Sequence, residues 1–205
     1  SLFLDNEYVW IGTEGGGLCL LNKKTALITH YKNEPNSPLS ISDNNILTIT
    51  KGFNDKVLIG TNNGLNIATI NDNGLLFTTL KNHNETQNSR FNVVSAIFPA
   101  SENELWFGSQ GNGLFRINVE NGDTIINHYE NNDYDRTSIP SNIVHSIISG
   151  RTGSVWIGTQ DGISNFDPIK LGFQHYTYKY GDENSLNEKN VWSIYEGDDE
   201  IMWVG

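Results

Sequence analysis

Ser154-Val155-Trp156-Ile157-Gly158-Thr159-Gln160-Asp161-Gly162-Ile163 is one of five versions of the same element. The others are Tyr8-Val9-Trp10-Ile11-Gly12-Thr13, Lys56-Val57-Leu58-Ile59-Gly60-Thr61, Glu104-Leu105-Trp106-Phe107-Gly108-Ser109 and Ile201-Met202-Trp203-Val204-Gly205. The Trp position falls at residues 10, 58, 106, 156 and 203, with Leu58 replacing Trp in the second copy, so the steps are 48, 48, 50 and 47 residues. Self-similarity at this period is the mark of a solenoid, a propeller or an array.

Working outward from the element, each copy sits among short β-rich runs separated by Gly, Asn and Asp turns. In the second unit these are Ile46-Leu47-Thr48-Ile49, Val57 to Thr61, Leu65-Asn66-Ile67-Ala68 and Leu75 to Leu80. Four such runs predict an antiparallel meander. The third and fourth units repeat the pattern, giving boundaries of about 1–40, 41–88, 89–138, 139–186 and a partial 187–205 within one segment. Residues 1–9 are too few to supply the lead-in strand, so the first unit is expected to be incomplete. The fifth stops at Gly205 inside its second strand, and both ends read as cuts. No long stretch of period 3.6 occurs, so almost no helix is expected. Tandem four-stranded units of this length predict an all-β fold, a β-propeller of about four blades and a remainder.

Composition fits a packed fold and excludes some partners. The 205-residue chain is 37% hydrophobic and 11% aromatic, enough for a core, and its 20 Gly serve the turns of many short strands. With 13 Lys and Arg against 24 Asp and Glu, the formal charge of −11 would repel a phosphate backbone, which argues against nucleic acid. Cys19 has no second cysteine to pair with, and its apolar neighbours suggest a small buried hydrophobe. No run approaches about 18 apolar residues, so direct membrane insertion of this segment is not expected.

The first strand of each unit carries apolar residues three apart: Ile46 and Ile49, Val94 and Ile97, Val144 and Ile147, Val191 and Ile194. Because this breaks simple alternation, it reads as a strand buried on both faces. The Trp of the second strand reads as a packing residue between blades, burying roughly 150–250 Å². Leu58 in that position is compatible with packing rather than ligand stacking.

These residues resemble the two-component regulator propeller repeat. Val144-His145-Ser146-Ile147, Trp156-Ile157-Gly158-Thr159 and Gly162-Ile163 match its pattern, as do Trp106 to Ser109 with Gly113-Leu114 and Trp10 to Thr13 with Gly17-Leu18. The departures are Leu58 for Trp, Ile163 for Leu, and Asn88-Ser89-Arg90-Phe91, which lacks the Ser-Ile or Ser-Leu of Ser40-Ile41, Ser138-Ile139 and Ser185-Leu186. The resemblance implies a periplasmic sensor segment of a hybrid two-component histidine kinase, binding a glycan-derived oligosaccharide to control polysaccharide-utilisation genes. It also implies a dimeric parent receptor and a usually seven-bladed ring, of which this chain would be part. No cofactor and no catalysis by this segment are expected. The alternatives from other classes are a propeller lyase or glycosidase acting on polysaccharide and a protein-binding scaffold.

Comparing the units separates scaffold from candidate site. The residue after the first apolar position of strand one varies: Leu47, Ser95, His145 and Trp192. His145 and Trp192 are therefore candidate sugar contacts, by hydrogen bond and by stacking, with simple packing as the competing reading. Arg90 is a third candidate, since its fork suits a uronate or sulfate, against a surface salt bridge. His30, His128 and His175 recur at one repeat position in separate units, which argues against a shared metal site. Asn44, Asn92 and Asn142 are expected to bond local backbone in a turn. Glu14-Gly15-Gly16-Gly17 lacks the lysine and helix of a phosphate loop and reads as a turn. Asp198, Asp199 and Glu200 read as a solvated hairpin tip.

Overall fold

The computed structural model describes residues 1–71, 74–80, 92–120, 122–151, 153–167, 172–198 and 201–205. Every element among them is a strand. The first sheet runs β1 (Leu2–Leu4), β2 (Tyr8–Gly12), β3 (Leu18–Asn22), β4 (Ile28–Tyr31), and the second β5 (Ile46–Lys51), β6 (Val57–Thr61), β7 (Gly64–Asn71), β8 (Gly74–Leu80). The third contains β9 (Val94–Ser101), β10 (Glu104–Ser109), β11 (Leu114–Glu120) and β12 (Asp123–Tyr129). The fourth contains β13 (Val144–Ser149), β14 (Val155–Thr159), β15 (Gly162–Asp167) and β16 (Gly172–Tyr176), and a hairpin pairs β17 (Ile194–Glu196) with β18 (Met202–Val204). Each sheet follows chain order, as expected of meanders. Against expectation the first sheet has all four strands, because Leu2–Leu4 suffices to pair Phe3 with Trp10 and Leu4 with Val9.

The chain divides into two compact units, Ser1–Pro99 and Ala100–Gly205, with the division inside β9. In the first, Trp10, Leu18 and Leu20 pack with Ile46, Ile49, Val57, Ile59 and Phe77 of the next sheet. In the second, Trp106 lies 5.1 Å from Phe166 between ring centres, and the Arg116 guanidinium covers both rings. Trp10 and Trp106 are fully buried, and Leu58 is buried in the same role. Full burial of a Trp contributes roughly 4–6 kcal/mol of gross transfer free energy at about 25 cal/mol per Å². The indole N–H is satisfied at the sheet end, donating to Asp5 Oδ2 at 2.6 Å and to Glu104 Oε1 at 2.8 Å.

The rest of the repeated element has equally local reasons. A Cβ on Gly108 would stand 2.3 Å from Val144 Cγ1, and one on Gly60 2.4 Å from the Val94 carbonyl oxygen. The glycine is therefore the seat for the first apolar residue of the next sheet. The hydroxyl that follows closes the turn: Thr61, Ser109 and Thr159 donate to the carbonyls of Gly64, Gly113 and Gly162 at 3.0, 3.1 and 2.8 Å.

The three-residue apolar spacing has a different cause from burial on both faces. In the fourth sheet Val144 pairs with Thr159, Ser146 with Gly158 and Ile147 with Ile157, which leaves His145 as an extra residue. The second sheet does the same at Leu47, between Ile46 paired with Thr61 and Thr48 paired with Gly60. Two residues then oppose one, a β-bulge, and the inserted residue returns Val144 and Ile147 to one face.

The recurrent Asn bonds backbone, but not locally. Asn44 Oδ1 accepts from the Asn33 N–H at 2.8 Å, and Asn142 Oδ1 from the Asn131 N–H at 2.7 Å, so each clasps the start of an eleven-residue connection. Within these connections Ser40 and Ser138 accept the N–H of Glu34 and Asn132, and between β16 and β17 Ser185 accepts that of Lys179 in the same way. Ile41 and Ile139 beside two of those serines are fully buried. Cys19 is half-exposed rather than buried, because strand alternation gives the core to Leu18 and Leu20.

Candidate functional site

Two of the three candidate residues meet in the second unit. His145 and Trp192 stack with ring centres 4.1 Å apart and planes at 27°. His145 stands on the bulge of β13, and Trp192 lies two residues ahead of β17. Trp192 and Ser193 donate their N–H groups to the same Gly205 carbonyl, at 2.8 and 2.9 Å, and Val191 donates to Thr159 O at 2.9 Å. The Val191 side chain lies against Gly158, where a Cβ would be 2.9 Å away. The backbone carrying Trp192 is thus tied on both sides, while 62% of the residue's surface remains open to solvent. Trp192 shares its exposure with Tyr195, Trp203 and Ile201 of the adjoining hairpin, and what sets it apart is the backbone tether together with the stack on His145.

The imidazole beneath it is partly enclosed. His145 Nε2, Ser146 Oγ and Asn190 Oδ1 are all shielded from solvent without a hydrogen-bond partner. Burial pushes the His145 ring below the ordinary histidine pKa, and the Asn190 side chain, approaching short of hydrogen-bond geometry, offsets this only in part. The ring is therefore neutral at pH 7. Arg90 lies outside the described residues. Ser146 and Asn190 were not singled out by the sequence, although Ser146 belongs to the same variable strand and Asn190 stands two residues before Trp192.

Further exposed aromatics lie on the β17–β18 hairpin. Tyr195 and Trp203 are cross-strand partners, 64% and 60% exposed. Trp203 therefore departs from the packing role of Trp10 and Trp106, because no described sheet covers that face. On the other face Ile194 and Met202 pack with Ile163, Val191 and Trp156.

The other candidates have local explanations. His30 Nδ1 lies 3.2 Å from Cys19 Sγ, His128 stacks on Phe115 at 4.2 Å, and His175 Nδ1 lies 2.8 Å from Ser164 Oγ, each within its own sheet. Among the described residues no three His, Cys, Asp or Glu side chains are placed to hold a metal ion. Asp198 is exposed at the β17–β18 turn. A cavity of about 520 Å³ between residues 33–42 and β8 is lined by polar and apolar groups alike, and the buried Thr61 and Asn66 beside it are bonded to Ser42. No helix of the described residues is long and apolar enough to cross a membrane.

No family model matches the chain. A histidine kinase of Formosa agariphila is 26% identical over 198 residues, covering 93% of this chain and 14% of the kinase. The extracellular domain of a hybrid two component system from B. thetaiotaomicron superposes over 100% of the chain with a TM-score of 0.76 at 21% identity. The corresponding domain of a second such system from that organism does so with a TM-score of 0.68 at 19% identity. The chain spans 25% and 31% of those two domains. The fold is thus a β-propeller built of four-stranded antiparallel blades. The kinase and the two ectodomains fit the two-component regulator propeller family that the repeat resembles.

Proposed function

We propose that this chain is a non-catalytic sensing segment in the periplasmic part of a hybrid two-component system, and that it takes a glycan-derived oligosaccharide. In this reading, binding alters the geometry of a dimeric parent receptor and thereby the transcription of polysaccharide-utilisation genes. The likeness to sensor ectodomains supports the sensor role, and the observation that carries the ligand class is Trp192. A pyranose presents an apolar face to an aromatic ring, and a ring already fixed in place loses little entropy when that face docks. A propeller is also a scaffold for enzymes, so the fold itself does not carry the argument. The exposed, backbone-tethered indole does. Calorimetry of the full chain against a panel of neutral and acidic oligosaccharides tests it: at least one should bind, and Trp192→Ala should weaken that binding by roughly tenfold, the worth of about 1.4 kcal/mol of stacking. A panel with no binder would remove the basis for the sensing role.

A further inference from the structure

We infer that His145 is a positioning residue: it is the seat on which Trp192 lies, and the ligand meets the outward face of the indole rather than the imidazole. The inference rests on the oligosaccharide reading above and assigns the two rings different tasks. The rings overlap at 4.1 Å, so one face of the indole is occupied by His145 while the residue as a whole stays 62% exposed. The imidazole Nε2 is shielded from solvent. Burial keeps the ring neutral, so it supports the indole as a flat aromatic surface. The bulge explains how a residue of strand one comes to this place. An inserted position is free of pairing, and its side chain can be turned out of the sheet's alternation.

The distinction is between needing a ring and needing a nitrogen. His145→Phe keeps a flat ring and removes both nitrogens, whereas His145→Ala removes the ring. Two measurements on the full chain separate the possibilities. The first is acrylamide quenching of Trp192 without ligand, taken as the difference from Trp192→Phe. The second is calorimetric titration with xylohexaose, cellohexaose and galacturonic acid oligomers. His145→Ala is expected to raise Trp192 quenching about twofold and to weaken binding by about three- to tenfold, the range of one aromatic contact, with His145→Phe close to the parent in both. If His145→Phe loses binding as fully as His145→Ala while Trp192 quenching stays at the parent value, a nitrogen touches the ligand and the inference is wrong. Unchanged quenching in His145→Ala would equally overturn it. If none of the oligosaccharides binds the parent chain, the sensing reading fails on its own, and quenching still decides whether His145 seats Trp192.

Discussion

Gly108 illustrates how tightly single residues are constrained. A methyl group there would fall 2.3 Å from Val144 Cγ1 and 2.6 Å from Val144 Cβ, and the second clash is relieved only by movement of the next sheet's first strand. Gly108→Ala is expected to cost about 1–3 kcal/mol, the usual range for overpacking, read as a lower urea midpoint. Thr159 is held by a different force. Its hydroxyl donates to Gly162 O at 2.8 Å from a fully buried position, and Gly162 itself has φ of 130°, a turn conformation that other residues rarely adopt. Thr159→Val keeps the shape and removes the hydrogen bond, so a loss of about 1–3 kcal/mol is expected by the same denaturation. The Trp positions were legible in the sequence because burial of an indole and its spacing leave a strong mark. The acidic partners of their N–H groups were not. Asp5 precedes its Trp by five residues and Glu104 by two, so no fixed offset marks them.

At the scale of the strand, the bulge shows in the sequence only through its spacing. Apolar residues three apart suggested a strand buried on both faces. The registers at Leu47 and His145 instead show one inserted residue, after which the same face continues. The variability of that inserted position was legible, because an unpaired residue is under little constraint from the ladder. Its stacking partner was not legible, since His145 and Trp192 stand 47 residues apart in sequence and meet only through sheet packing. Deleting His145 makes the point testable. Removal of the bulge shifts Val144 to the opposite face and takes it off Gly108, so the deletion should lower the urea midpoint more than His145→Ala does. Equal midpoints would mean that the extra residue does not set the register. The connections of residues 33–44 and 131–142 were half legible: the serine and its buried Ile stood out, while the eleven-residue reach of Asn44 and Asn142 did not, because the repeat marks the Asn but not the backbone N–H that it holds.

At the scale of the whole molecule, acid should weaken the fold in two stages. Burial holds His145 and His175 below the ordinary histidine pKa, and neighbouring backbone at Arg136 and Ser138 offsets this only partly for His175. The unfolded chain therefore binds protons that the folded chain resists, so this contribution is complete above about pH 6.5 and declines as pH falls from there toward the folded values. Burial alone would raise the Asp5 carboxyl, but hydrogen bonds from Trp10, Tyr8 and Glu7 with the nearby Lys23 charge hold it below the carboxylate range. Its contribution is lost in a second, lower window as pH falls below about 4. Thermal melts from pH 8 to 3 should show both, and replacing both histidines by Phe should flatten the upper one. A parent melting temperature that does not change between about pH 7.5 and 5 would contradict it. The glycine seat has a further consequence for how such a chain lengthens. Ile46, Val94, Val144 and Val191 each rest on the Gly of the preceding sheet, at Gly12, Gly60, Gly108 and Gly158. Duplicating one whole period copies a knob and a socket together, and both find partners without a new surface having to evolve. A fractional insertion leaves one of each unmatched, so the length of the gene is quantised by the same glycine that packs the sheets.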